Sequence, residues 1–284
     1  MELGFLFWLF FGGIIVASLQ DLKRREVDNW LNLFLGVFGF IFIFYKAFFE
    51  KDVSILIQAG FSFGVMFIAM NMFYYGRVFA GGDAKLLLAM SVLFIGVTFN
   101  STLSNIGMFL LFLMISGSVY GLFYSLVLYF RDMKKVNKEI KLEFKEVKWV
   151  KYGILGSFIL IVAGGIIKLF ISEFGFIVML IGSLLLVFPF LFVFSKALEK
   201  ISMIRIISGK ELREGDWLVD DVKVKGKTIK ANWEGLTRDD IKLLKSKKKI
   251  TIKEGLPFVP AFLIAFLIYS FGKNWFLGLL FNLA

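Results

Sequence analysis

The sequence contains no histidine and no cysteine, and it has only three prolines among its 284 residues. Without histidine, the chain cannot form a Ser-His-Asp triad, a Cys-His pair or an H-E-x-x-H zinc site. Without cysteine, it cannot form a disulfide, a thiolate zinc site or an iron–sulfur centre. Any chemistry must therefore use Asp, Glu, Lys, Ser, Thr or Tyr side chains, and we expect no metal and no cofactor.

Charged residues are also scarce, at 19% of the chain, whereas 58% of the residues are hydrophobic and 37 are phenylalanines. The mean hydropathy of +0.80 is typical of a polytopic membrane protein. We predict an all-α membrane protein with about eight transmembrane helices. The predicted spans are 3–20, 29–49, 54–75, 84–98, 106–130, 152–169, 176–194 and 256–283.

The formal charge of +11 indicates the kind of partner. In a membrane protein, an excess of Lys and Arg marks cytoplasmic loops and contact with anionic lipid. No basic stretch has the pattern of a nucleic-acid-binding fold. We therefore expect the lipid bilayer as a partner, and not nucleic acid.

The apolar runs and the polar stretches between them predict a domain organisation. Residues 1–195 form a transmembrane domain, which includes a basic amphipathic connector at 131–151. Residues 196–255 form a small α+β cytoplasmic domain, and residues 256–284 form a C-terminal transmembrane helix.

Two of these segments have patterns of their own. In the connector, apolar residues recur every three or four positions, which predicts an amphipathic helix lying on the membrane surface. In 196–255, we predict a β-hairpin around Lys225-Gly226-Lys227, a helix capped by Thr237, and a last strand over 249–253.

The distribution of Lys and Arg predicts the orientation in the membrane. The segments 21–28, 75–85, 131–151 and 196–255 contain 29 of the 33 basic residues. We therefore predict that these segments are cytoplasmic and that the N-terminus is outside the cell.

Two aspartates have matching positions in this topology. Asp21 ends the first span, and Asp83 follows Gly81-Gly82 at the start of the fourth span. A carboxylate beside the bilayer is costly and suggests a functional site, and the glycines allow close approach of another backbone. Both aspartates are expected at the cytoplasmic edge, where they can meet if spans one and four pack together.

Two adjacent carboxylates cannot both ionise cheaply, so they share one proton. The ionised member can then take a proton from water while the neutral member polarises a peptide carbonyl. This chemistry is aspartyl proteolysis. Because such a pair titrates as a unit, we assign neither the acid nor the base to one residue.

Three other interpretations remain open. The aspartates could be ordinary helix-end residues, with Asp83 as an N-cap. They could be the cation or proton sites of a transporter or channel, although their place at one face, not at the midplane, argues against this. A Ser-Lys protease using Lys85 or a scaffold protein would need neither aspartate.

The sequences around the two aspartates resemble those of the archaeal type IV prepilin and preflagellin peptidases, members of the GxGD membrane aspartyl proteases. The first motif of this family is an aspartate followed by basic residues, Val and Asn, as in Asp21-Leu22-Lys23-Arg24-Arg25-Glu26-Val27-Asp28-Asn29. Asp28 stands where bacterial relatives usually have Pro. The second motif, GxGD-x-K-x-L, is matched by Ala80-Gly81-Gly82-Asp83-Ala84-Lys85-Leu86-Leu87, with Ala80 in place of the first glycine.

The resemblance implies that Asp21 and Asp83 are catalytic and that Gly81 and Gly82 are motif glycines beside the site. It implies an endopeptidase that removes a short basic leader from prepilin- or preflagellin-like precursors at the cytoplasmic membrane face. Leu256-Pro257-Phe258-Val259-Pro260 is similar to a late motif of these enzymes. Its prolines either free carbonyls that pair with an extended substrate or simply start a helix.

Overall fold

The computed structural model describes residues 4–273, except Lys225 and Trp233, together with Phe276 and Gly278. Helices predominate in this part of the chain. They are α1 (Phe5–Arg24), α2 (Asn29–Glu50), α3 (Ser54–Tyr75), α4 (Gly81–Ala89), α5 (Phe99–Glu146), α6 (Lys148–Lys168), α7 (Ser172–Leu198), α8 (Arg238–Leu244) and α9 (Val259–Leu267). A 3₁₀ helix (Met90–Leu93) follows α4, and π-helical turns (Glu199–Met203 and Ile268–Gly272) follow α7 and α9.

Six of these helices, namely α1, α2, α3, α5, α6 and α7, are long and apolar enough to cross a membrane. They confirm six of the predicted spans. The spans predicted at 84–98 and 256–283 contain shorter helices, α4 and α9 with their extensions. Residues 274, 275, 277 and 279–283 of the last predicted span lie outside the described residues.

The fourth predicted span is short as a helix, yet its contacts show that it runs the length of α3. At its start, α4 lies near the end of α3, since the Val78 and Phe79 N–H groups donate to the Phe73 carbonyl. Farther on, the Ser91 carbonyl accepts from the Ser62 hydroxyl at 2.6 Å. The chain therefore returns alongside α3 as helix, 3₁₀ turn and irregular segment, which a sequence pattern cannot distinguish from one long helix.

The described residues form two compact units, and the first contains residues up to Leu122 and from Leu256 onward. Its core is aromatic: Phe7 of α1 stacks on Phe266 of α9 with ring centroids 5.4 Å apart, and Phe94 meets Tyr269 edge-on at 5.3 Å. Aromatic pairs of this kind stabilise by about 0.5–1.5 kcal/mol beyond the area they bury. These contacts join the first and the last helices of the unit.

The second unit contains Phe123–Gly255. Its α6 and α7 pack closely, because a Cβ atom at Gly175 would lie only 2.2 Å from the Lys168 backbone nitrogen. The connector is helical as predicted, with a non-helical residue at Asp132 (φ −120°, ψ 26°). Part of its apolar stripe packs on α7 instead of lying only on lipid, since Phe144 meets Phe190 with ring centroids 5.6 Å apart.

Short strands follow α7 in the second unit. They are β1 (Ile204–Ile207), β2 (Trp217–Leu218), β3 (Val222–Val224), β4 (Lys227–Ile229) and β5 (Ile250–Lys253). β5 pairs antiparallel with β1 and β2, and β3 pairs antiparallel with β4, which confirms the predicted hairpin and last strand. Thr237 caps α8 in a capping box with Asp240, as predicted. No sequence pattern predicted β1, because its short apolar run is continuous with the preceding helix.

Candidate active site

Asp21 lies in the last turn of α1 with only 4% of its surface exposed. It shares the buried face of the helix with Ile14, Ala17 and Ser18, at spacings of three and four residues. The helix ends at Arg25, which adopts the left-handed conformation (φ 58°) and donates its N–H to the Asp21 carbonyl at 2.8 Å. The chain thus turns away immediately after the aspartate while the carboxylate stays inside.

The Asp21 carboxylate receives a hydrogen bond from the far end of the sequence. The Val259 backbone N–H, at the start of α9, donates to Asp21 Oδ2 at 2.9 Å. Pro260 is in the first turn of α9, where a proline needs no N–H partner, so this motif starts a helix. Because the free N–H groups at a helix start attract anions, α9 presents a fitting partner to a carboxylate.

Asp83 is the third residue of α4 and is 8% exposed. The residue before the helix is Ala80, with φ −69° and ψ 163°. These angles suit any residue, so the glycine that the family motif has at this position is not needed here. The backbone of Ala80 hydrogen-bonds to the Asp83 carboxylate, as acidic residues do in the first turn of a helix.

The two motif glycines differ in their surroundings. A Cβ atom on Gly82 would lie 3.3 Å from the Val27 nitrogen and 3.4 Å from the Val27 carbonyl oxygen. A Cβ atom on Gly81 would meet only the Tyr74 ring edge, at 3.8 Å. Gly82 is therefore the glycine that allows the loop after Asp21 to approach the helix that carries Asp83.

The start of α2 holds the start of α4 by two further contacts. The Asn32 amide donates to the Gly82 carbonyl at 3.0 Å, and Lys85 Nζ donates to Asn29 Oδ1 at 2.7 Å. Lys85 thus has a protein partner next to the site.

The structure brings Asp21 and Asp83 into one site. Burial and the nearby negative charge of Asp21 together raise the pKa of Asp83 to about 8. Phe258, which precedes α9, packs on Phe79 with ring centroids 5.3 Å apart and closes the same region. Two buried carboxyl groups that influence each other in this way can hold one proton between them at neutral pH.

Asp28 has a structural task in the loop between α1 and α2. Its carboxylate accepts hydrogen bonds from Arg24 at 2.6 Å and from the Gln20 amide nitrogen at 3.0 Å. Its backbone N–H donates to Gln20 Oε1 at 3.1 Å. Its φ of −62° is one that proline also adopts. Among the described residues, no group of three or more Asp or Glu side chains could hold a metal ion.

Comparison with known proteins identifies the part of the chain that carries both aspartates. Residues 8–130 match the type IV leader peptidase family. The family resemblance of the two motifs is thereby confirmed, and the chain is a multi-pass membrane protein.

Three archaeal preflagellin peptidases are similar to this chain. The protein of Methanococcus maripaludis is 31% identical over 147 residues, which are 46% of this chain and 63% of that protein. The protein of Methanocaldococcus jannaschii is 34% identical over 82 residues, 28% of this chain and 34% of that protein. The protein of Methanococcus voltae is 26% identical over 140 residues, 46% of this chain and 59% of that protein. The chain therefore spans less than two thirds of the length of these relatives.

The type IV leader peptidase segment ends at residue 130, so it does not include Val259. Sequence reasoning also missed the contacts of Val259 and Asn32 with the two aspartate motifs. Every residue except proline has a backbone N–H, so residue types do not predict which N–H binds a carboxylate. Asn32 lies within an apolar run. The one available signal was the spacing of Asn29 and Asn32, which places both on one face of a helix.

Proposed function

We propose that this chain is an aspartyl endopeptidase that removes the short basic leader of prepilin- or preflagellin-like precursors. The observation that carries the proposal is the pair of buried carboxyl groups, Asp21 and Asp83, in the segment that matches the type IV leader peptidase family. The relatives named preflagellin peptidase supply the substrate class.

In the proposed mechanism, one carboxyl group is ionised and the other is neutral. The ionised group takes a proton from water, and the resulting hydroxide attacks the carbonyl carbon of the scissile peptide. The neutral group donates its proton to the carbonyl oxygen, which gives a tetrahedral diol. When the diol collapses, the C–N bond breaks, one carboxyl group gives its proton to the leaving nitrogen, and the other takes a proton from a diol hydroxyl, so one shared proton remains.

We propose that the site faces the cytoplasm and that the N-terminus is outside. The concentration of 29 of the 33 Lys and Arg residues in the segments 21–28, 75–85, 131–151 and 196–255 supports this orientation. A precursor with a hydrophobic helix and a basic leader would then place its leader at the inner face, beside the aspartates.

We also propose the three-part organisation of a transmembrane domain (1–195), a small cytoplasmic domain (196–255) and a final membrane helix (256–284). The cluster of buried apolar residues in the second part supports a separate small core. It includes Leu218, Leu244, Ile250 and Ile252.

The test is a cleavage assay with the purified protein in detergent and a precursor that has a basic leader. Wild-type protein should release the leader, and Asp21→Asn and Asp83→Asn should each lower the rate by at least about 10³-fold, because each removes a general acid–base group. Asp52→Asn is the matched control, since Asp52 is exposed and only accepts a hydrogen bond from the Ser54 N–H.

Two results would contradict the proposal. One is full cleavage by both site variants. The other is intact precursor in every reaction together with ion flux through wild-type protein in liposomes, which would favour a transporter or channel that uses Asp21 and Asp83 as cation or proton sites.

A further inference from the structure

The side chain of Asn32 is buried in α2, with 5% of its surface exposed, and it faces the motif that carries Asp83. Its Nδ2 donates to the Gly82 carbonyl across 50 positions of sequence. Of the two polar atoms of the Asn32 amide, only the nitrogen can donate to a carbonyl oxygen. This bond therefore also fixes the orientation of the amide. The Gly82 carbonyl belongs to the peptide that leads directly into Asp83.

The other end of the same amide is unusual. Asn32 Oδ1 is buried and has no hydrogen-bond partner among the residues that the structure describes. A buried acceptor without a donor destabilises a fold by an amount comparable to the gain from the one hydrogen bond that the amide makes. A leucine at this position would fill the same space without that loss, so stability alone does not explain the asparagine.

The surroundings of Asn32 all restrict the first turn of α4. One turn earlier on the same face of α2, Asn29 accepts from Lys85, two residues after Asp83. The backbone of Val27 lies against Gly82. The stretch 27–32 therefore contacts the residue before Asp83 and the second residue after it.

We propose that Asn32 is a positioning residue, which holds the Gly82 carbonyl and thereby sets the place of the Asp83 carboxylate opposite Asp21. This inference rests on the proposed peptidase function for its catalytic consequence. Asn32 does not touch the reacting atoms in this scheme. Loss of its donor lets the first turn of α4 move, and a displacement of about 1 Å in a catalytic group can lower a rate by about 10²-fold.

The test compares Asn32→Leu and Asn32→Asp with the control Asn71→Leu. Asn71 makes the same kind of hydrogen bond, Nδ2 to the Phe67 carbonyl at 2.8 Å, but within its own helix α3. Both Asn32 variants should lower kcat by about 10²-fold with KM unchanged, because both lose the donor while substrate contacts stay. The control should keep the kcat of the wild type.

A second readout does not depend on activity. In protein labelled at the aspartate carboxyl carbons, the Asp83 resonance is identified by its loss in Asp83→Asn. It should shift in both Asn32 variants and stay in place in Asn71→Leu. If the Asn32 variants show this shift while the wild-type protein cleaves no precursor, the peptidase proposal fails and the positioning role stands.

Three outcomes would overturn the positioning role. One is an unmoved Asp83 resonance in folded Asn32→Leu. Another is wild-type kcat in Asn32→Asp, which would make Oδ1 the working atom. The third is a rise in KM with unchanged kcat, which would place Asn32 in substrate binding.

Discussion

Buried polar groups occur at both ends of the first unit, but they are partnered differently. At the end away from the aspartates, Thr102 and Gln58 pair at 2.9 Å, and the Gly96 N–H donates to the same Thr102 hydroxyl at 2.9 Å. These are neutral groups that satisfy one another. At the other end lie two carboxyl groups that influence each other and the Asn32 oxygen without a described partner.

The neutral pair stabilises the fold, whereas the two carboxyl groups can take part in proton transfer. A neutral pair such as Thr102 and Gln58 stabilises the helices that it joins, and it carries no proton to exchange at neutral pH. Carboxyl groups kept close together at some energetic expense retain the ability to exchange a proton. Under the proposed function, one end of the first unit is structural and the other carries the reaction.

The largest expected effect is the loss of activity at alkaline pH. Burial and the charge of Asp21 raise the pKa of Asp83 to about 8, so the pair holds its shared proton below this pH and loses it above. Because the mechanism needs one neutral carboxyl group, kcat/KM should fall by about tenfold per pH unit above pH 8. A pH–rate profile measures this.

Asp216→Asn is the control for the alkaline fall. Burial also raises the pKa of Asp216, yet this residue belongs to the second unit. The variant should show the same alkaline limb as the wild type. A wild-type rate that stays constant up to pH 10 would mean that no proton shared by the two aspartates is needed.

A smaller effect is expected from Gly82→Ala. The new methyl group would lie 3.3 Å from the Val27 nitrogen, so the backbones must separate by a few tenths of an ångström. We expect kcat to fall by about tenfold, because Asp83 moves with its neighbour. Gly81→Ala is the matched variant and should keep wild-type kcat, since its methyl group has room. Equal losses in the two variants would contradict this account of the motif.

At the structural end, Gln58→Leu should change stability and leave catalysis alone. The substitution leaves the buried Thr102 hydroxyl without its Gln58 acceptor, which should lower the free energy of unfolding by about 1–3 kcal/mol. Thermal unfolding in detergent measures the loss, and kcat of the folded fraction should stay within about twofold of the wild type. A selective fall in kcat with unchanged stability would remove the distinction between the two ends.

The smallest effect is expected from Asp28→Pro. The backbone of Asp28 already has proline-like angles (φ −62°, ψ 132°), so the ring causes no strain. The variant loses the exposed Arg24 ion pair and the N–H bond to Gln20, which together should lower stability by about 1 kcal/mol. Activity should be kept. A large loss of kcat would give Asp28 a role in the reaction.

The sequence predicted the elements whose evidence is local. Six spans, the connector helix, the hairpin at 225–227 and the Thr237 cap all depend on patterns within a few turns of chain. The two aspartates were also singled out, because a carboxylate beside a membrane stands out from its surroundings. That they catalyse cleavage stays a proposal.

The remaining features depend on contacts between distant residues. The irregular end of the fourth span is stabilised by α3 and α5, so its hydrophobicity alone predicted a longer helix. The difference between Gly81 and Gly82 follows from where Val27 lies. The Val259 amide and the Asn32 side chain bind residues that are 238 and 50 positions away in the sequence. Hydrophobic periodicity does not predict contacts at such separations.

The hydrogen bond between Val259 and Asp21 has a consequence for biosynthesis. Asp21 leaves the ribosome early, whereas its amide partner is made 238 residues later. The carboxylate enters the membrane without this donor and acquires it only when α9 has been inserted. Nascent chains that stop before residue 259 therefore lack the amide partner of Asp21, and this hydrogen bond forms only after α9 has been made.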